Sequence, residues 1–146
     1  LRKEADMKPS ATDIEEFIAR SFPTDDGRPV ILVERVDERA ARLRFRTEAS
    51  HLRPGQTVSG PIQMTLADTA AWTLILHNLG FSAAPSVTSN LNISFLSRPS
   101  PVDLIGEALL LKLGKRSSVA EVRLFSEGRA EPVAHATVTY AVILAE

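Results

Sequence analysis

Residues 61–79, PIQMTLADTAAWTLILHNL, form an uninterrupted helical run bracketed by Gly60-Pro61 and Gly80. Pro61 suits the first helical position, where no N–H is needed, and Gly80 is a natural left-handed stop. Apolar residues occupy almost the whole circumference, the pattern of a helix wrapped by protein on most sides. Directly after it the period changes to two. Val87, Leu91, Ile93 and Phe95 alternate with Thr88, Asn90, Asn92 and Ser94, which predicts a strand with one apolar and one uncharged polar face.

Outward from this centre the remaining elements follow. Upstream, Thr12-Asp13-Ile14-Glu15 has the form of a capping box and opens a short amphipathic helix over about 12–22, closed by Pro23 and the Thr24-Asp25-Asp26-Gly27 turn. Val30–Val36 and Ala41–Arg46 read as a hairpin around Asp37-Glu38-Arg39, with Leu43 and Phe45 on one face and three arginines on the other. Residues 47–60 read as a loop. Downstream, three strand-like runs, Val102–Leu113, Ser118–Phe125 and Val133–Leu144, are separated by Gly114-Lys115-Arg116 and Glu127-Gly128-Arg129. Helices and strands segregate, so the expectation is an α+β fold: one mostly antiparallel sheet curled around the long helix. One domain accounts for residues 1–146, and its open sheet edges favour a homodimer.

Composition narrows the function. The chain has 17 basic and 18 acidic side chains, a net charge of −1, which supplies no basic excess for nucleic acid. With no cysteine, thiol nucleophiles, zinc fingers and iron–sulfur clusters are excluded. His51, His77 and His135 have no metal-ligand spacing, so no metal is expected. No apolar run is long enough for a membrane span, and the first ten residues lack a secretion signal's apolar core. A cytoplasmic protein with small-molecule or protein partners is the expectation.

Charge is most informative where it is missing. Between Arg53 and Arg98 only Asp68 carries a formal charge. A lone carboxylate in apolar surroundings costs several kcal/mol, about the scale of a buried unpaired charge, unless it is bonded, paired or protonated. Two readings stay open: a catalytic group, or an acid that fixes the helix. Asp68 shares a helix face with Pro61, Met64, Thr65 and Trp72. The helix start at Gly60 leaves an oxyanion-type donor in its amide, with later first-turn amides as help, or else is a plain helix start. Met64, Trp72, Ile75 and Leu76 are either an acyl slot or core. Arg98, Lys115 and Arg116 are either grips for phosphate or solvated turn residues.

The run Val58–Ala70, with Thr88–Pro99 after it, resembles the hotdog-fold acyl-CoA thioesterases of the phenylacetyl-CoA thioesterase type, and the element order matches from about Val30 to Leu144. That family has His-Gly-Gly at the helix start and an acid nine residues after the His. Here Ser59 stands for the His, Pro61 for the second Gly and Arg53 for a substrate- or water-positioning Asn, while Gly60 and Asp68 keep their places. The resemblance implies that Asp68 is the nucleophile or the base activating water and that the Gly60 amide polarises the thioester carbonyl. It also implies that Thr88 assists water and that Asn90 begins the polar face lining the pocket. Arg53, Ser59, Pro61, Thr65, Trp72, Thr88, Asn90, Arg98, Lys115 and Arg116 are the substrate-binding candidates. CoA enters as part of the substrate and no cofactor is implied. In such dimers, or dimers of dimers, Gly60 of one subunit faces Asp68 of the other. A hotdog protein that binds acyl-CoA without turnover is the alternative. A hydratase ranks lower because no His lies near Gly60 or Asp68 in sequence.

Overall fold

The computed structural model describes residues 8–146. Its first helix, α1 (Ala11–Ser21), starts one residue ahead of the expected box. Ser10 Oγ accepts from the Asp13 N–H at 3.1 Å and the Asp13 carboxylate accepts from the Ser10 N–H at 2.9 Å. Thr12 and Glu15 therefore do not form the cap. Glu15 instead reaches across to accept from the Val33 N–H at 2.8 Å, tying the helix to the first strand. Ile14 and Ile18, one turn apart, face the core.

Strands β1 (Ile31–Val36) and β2 (Ala40–Phe45) form the expected hairpin. Asp37 holds its turn, accepting from the N–H groups of Arg39 and Ala40 at 2.8 Å each. Leu43 and Phe45 are buried, whereas Arg42 and Arg44 lie on the outer face beside Glu34, Glu107, Asp103 and Glu127. Segment 47–60 is more than a loop: β3 (Leu52–Arg53) and β4 (Thr57–Val58) make a minute hairpin. Strands of two residues carry too little alternation to be seen in sequence. Gly55, at φ +93°, makes their turn possible.

Helix α2 (Gly60–Leu79) fits its sequence reading, capped by Ser59 and ended by Gly80 at φ +81°. Strands β5 (Val87–Phe95), β6 (Leu104–Leu113), β7 (Ser117–Ser126) and β8 (Pro132–Ala141) complete an antiparallel sheet in the order β1-β2-β6-β7-β8-β5. The chain therefore has an α+β hotdog architecture, six strands wrapped around one long helix. Helix and sheet meet closely at Gly106, where a Cβ would lie 3.2 Å from Leu66 Cγ. Among the described residues no helix is long and apolar enough to cross a membrane.

Several strand pairs carry register shifts, and the one in β5 bears on the site. The β5–β8 register shifts between Thr88 and Asn90, so Thr88 pairs with Tyr140 while Leu91, Ile93 and Phe95 pair with Val138, Ala136 and Ala134. All four β8 partners are buried on the side facing α2. The extra residue, Ser89, is a β-bulge, and it turns Thr88 onto the face of Leu91. The expectation that Thr88 and Asn90 share a polar face is thus corrected: Asn90 pairs with outward-facing Thr139.

Candidate active site

Two turns into α2, Asp68 belongs to a stripe that the chain's own sheet leaves uncovered. Pro61, Met64 and Thr65 are exposed, and Asp68, Thr69 and Trp72 half-buried. The Thr88 hydroxyl donates to Asp68 Oδ1 at 2.5 Å. The Tyr140 hydroxyl donates to the Asp68 backbone carbonyl at 3.2 Å. Among the described residues no cation lies within ion-pair distance of this carboxylate. Burial pushes the Tyr140 hydroxyl well above the usual tyrosine range; the Thr88 hydrogen bond opposes that shift and the Asp68 charge adds to it.

Thr65, Thr69 and Thr73 turn their hydroxyl protons back to the carbonyls of Pro61, Thr65 and Thr69 at 3.0, 2.8 and 2.9 Å. Beside Asp68, Thr65 and Thr69 present lone pairs only; Thr73 is buried in the core. Two cavities open at the carboxylate. One, of about 380 Å³, lies under α1 and the 23–30 segment, walled by Ile18, Phe22, Pro23, Val30 and Ile31. The other, of about 290 Å³, runs past Trp72 to Ser86, Val87, Thr88 and Tyr140.

At the start of α2 the first-turn amides are mostly engaged. Ser59 Oγ accepts from the Ile62 N–H at 3.4 Å and the Ser59 carbonyl from the Gln63 N–H at 3.2 Å. The expected help from later amides is therefore absent, and Gly60 carries the one first-turn N–H without a partner among the described residues. The Phe95 ring lies against the Cα of Gly60: a Cβ there would be 3.3 Å from Phe95 Cζ. Asp68 lies eight residues further along α2, a rise of about 12 Å. Within one chain, Gly60 and Asp68 are too far apart to act on the same carbonyl group.

The other expected residues scatter over two ends of the sheet. Ser59 is the helix cap, and Pro61 and Arg53 are exposed near it. Arg98 Nη2 donates to the Gly55 carbonyl at 2.6 Å, pinning the small hairpin at the Gly60 end. Lys115 and Arg116 sit in the β6–β7 turn, beyond the Ser117–Ala141–Val87 row, at the Asp68 end. One chain thus does not bring Arg98 together with Lys115 and Arg116. Ile75 and Leu76 are wholly buried core, not an acyl slot. Trp72 lines the second cavity, and its buried indole N–H has no partner among the described residues.

His51 accepts from the Glu48 N–H, His77 bonds the Pro9 carbonyl and His135 bonds Glu121. Among the described residues no cluster of His, Cys, Asp and Glu has the makings of a metal site. Sequence reasoning missed Phe22, Pro23 and Val30 as cavity walls. An aromatic next to a Pro-initiated turn was the available signal, and it reads equally well as a helix end.

The family model described as the thioesterase superfamily matches residues 55–133. Among solved structures, a candidate thioesterase from Silicibacter sp. is 36% identical and aligns over 92% of each chain with a TM-score of 0.82. Zebra fish thioesterase superfamily member 2 aligns over 92% of this chain and 99% of its own, at 19% identity and TM-score 0.78. A thioesterase from Haemophilus influenzae covers 92% and 91% at 14% identity and TM-score 0.78. The last two share the fold. No curated protein matches the chain by sequence. The family match spans both Gly60 and Asp68, and with the close structural relative it establishes that this chain belongs to the thioesterase superfamily.

Proposed function

We propose that the protein hydrolyses an acyl-CoA thioester to the free acid and CoA, at a site assembled by two copies of the chain. The observation that carries this reading is Asp68: a carboxylate with no cationic partner among the described residues, held at one oxygen by Thr88 and open to two cavities. The 12 Å rise, roughly, between Gly60 and Asp68 supports a second copy. β5 is an edge strand, so antiparallel pairing of two β5 edges about a twofold axis sets the Phe95–Gly60 end of one copy against the Thr88–Asp68 end of the other.

In that arrangement the Gly60 N–H of one protomer donates to the thioester carbonyl oxygen and stabilises the charge that develops there. Asp68 of its partner attacks the carbonyl carbon, or takes a proton from a water that attacks it. The C–S bond breaks and the sulfur leaves as a thiolate, which takes the proton held by Asp68 on the water route and a proton from solvent on the direct route. On the direct route, water then hydrolyses the Asp68 acyl anhydride. Arg98, from the Gly60 end, joins Lys115 and Arg116 around the CoA phosphates. Thr65 and Trp72 flank the carboxylate, and Ser59 and Pro61 shape the donor turn. Arg53 stands outside that turn on β3. Asn90, on the outer face, is left out of the arrangement. CoA is half of the substrate, and the chemistry calls for no cofactor.

The test is release of free thiol from a series of acyl-CoA esters. Asp68→Asn is expected to lower kcat by about 100-fold or more, the scale of losing an acid–base group. Equal rates for the two proteins overturn the reading. A single turnover in ¹⁸O-labelled water tests the direct route, because label in the Asp68 carboxylate arises only from an anhydride opened by water at the Asp68 carbonyl carbon.

A further inference from the structure

The two cavities at Asp68 share three wall residues, Phe22, Asp68 and Thr69. Phe22 is the only one of these outside α2. It follows the last residue of α1 in a non-helical conformation, φ −132° and ψ 71°, and its side chain is 65% exposed. Its ring stands edge-on to Trp72, centroids 6.3 Å apart at 74°. Phe17, by contrast, is fixed on both sides, stacked on Phe81 at 4.6 Å and tilted on Trp72 at 5.9 Å. Phe22 is therefore a thin partition, supported along one edge, between two spaces that converge on the carboxylate.

These spaces differ in chemistry. The α1 chamber, about 380 Å³, is walled by Ile18, Pro23, Val30 and Ile31, with Arg28 at its edge as the only lining residue besides Asp68 that bears charge. Its volume falls near the lower end of small-molecule sites, about 300–1,000 Å³. The Trp72 cleft carries the hydroxyls of Ser86, Thr88 and Tyr140, and it ends near the β6–β7 turn that bears Lys115 and Arg116. An uncharged apolar group belongs in the first. A polar arm leading to phosphates belongs in the second.

We infer that the α1 chamber takes the acyl group, the Trp72 cleft takes the thiol arm, and Phe22 sets the upper size of the acyl group by closing the chamber off from the cleft. This deepens the thioesterase reading and rests on it. The acyl class is then a short to medium aliphatic or single-ring aryl group without charge. Replacing Phe22 with Ala merges the two spaces, and replacing it with Trp narrows the passage.

Two measurements test this. The first is kcat/KM across straight-chain acyl-CoAs from butyryl to dodecanoyl, and for phenylacetyl-CoA, with wild type, Phe22→Ala and Phe22→Trp. Phe22→Ala is expected to raise the long-to-short ratio roughly tenfold, the scale on which a pocket discriminates one or two methylenes, and Phe22→Trp to lower it. The second is a fluorescence titration of wild type and Phe22→Ala, whose single tryptophan is Trp72, with thioether analogues of the same acyl-CoAs. Trp72 lines the cleft and touches the Phe22 ring, so it reports analogue binding without turnover, and Phe22→Ala is expected to show the same shift of affinity toward long acyl groups. A size preference that stays constant in both variants overturns the role of Phe22, while the thioesterase reading stands on wild-type thiol release. Absence of thiol release with a reordered analogue series overturns hydrolysis and keeps the chamber.

Discussion

The Thr88 hydroxyl is 2.5 Å from Oδ1 of Asp68, spanning the gap between an edge strand and the central helix. A hydrogen bond to a charged group contributes about 1.5–3 kcal/mol, so Thr88→Val should lower kcat roughly 10- to 100-fold. KM should change little, because the bond orients the acid and does not touch the acyl chain. Thr88→Ser keeps the donor and should retain most of the rate. Steady-state kinetics on the three proteins checks this; a serine variant as slow as the valine one would contradict it.

Gly60 and Asp68 are separated along one helix, and this makes subunit mixing informative. The Gly60→Ala methyl keeps the thioester carbonyl from approaching the backbone N–H, and Asp68→Asn removes the acid, so each homodimer is expected to lack a sound site. A heterodimer of the two pools both lesions in one site and leaves the other intact. Co-refolded at equal ratio, the mixture should recover about one quarter of wild-type activity, the statistical share for a symmetric dimer. Recovery that never exceeds the average of the two parents would mean that each chain works alone. Gly60→Ala should stay folded, since its Cβ meets only the rim of the Phe95 ring at 3.3 Å.

Tyr140 is the single tyrosine, so tyrosinate absorbance reports it alone. Burial foremost, with the Asp68 charge behind it, raises its pKa above the unfolded value of about 10. The stability linked to this shift is fully present below the unfolded value and is lost as pH rises toward the folded one. Tyrosinate should therefore be missing from the native protein at pH values where free tyrosine ionises, and should emerge together with alkaline unfolding. A step near the ordinary tyrosine value with circular dichroism unchanged would refute this.

The contact between Leu66 and Gly106 predicts a coupling in stability. Leu66 is wholly buried, so Leu66→Ala should cost about 2–5 kcal/mol. Gly106→Ala drives a Cβ to 3.2 Å from Leu66 Cγ and 3.4 Å from Leu124 Cδ2 and should cost roughly 1–3 kcal/mol by overpacking. In the double variant the new methyl occupies part of the space that Leu66 vacates. Denaturant titration should show it more stable than the sum of the single losses.

The long helix, the hairpin arginines and the succession of elements along the chain were legible because each rests on local pattern: an apolar circumference, strict alternation, a glycine stop. Asp68 was legible from its isolation among uncharged residues. What sequence hid depends on contacts between distant segments. The Ser89 bulge is set by pairing with β8, and Thr88 looks outward until that pairing shifts it. Arg98 reads as a free cation until the Gly55 carbonyl is found at its guanidinium. Ile75 and Leu76 read as either acyl slot or core, and burial under the sheet decides for core. The α1 chamber needs Phe22 and Val30 brought over the same helix face, and neither carries a mark of that in its own neighbourhood.

Ser89 also bears on how relatives of this chain should be compared. Removing that single residue would rotate Thr88 away from the acid while leaving Asp68, Gly60 and Thr88 themselves unaltered in identity. Two homologues with the same residues at these three positions can thus differ in geometry through an indel of one position. The count of residues between the helix stop at Gly80 and the hydroxyl that steadies the acid is as diagnostic as the acid itself.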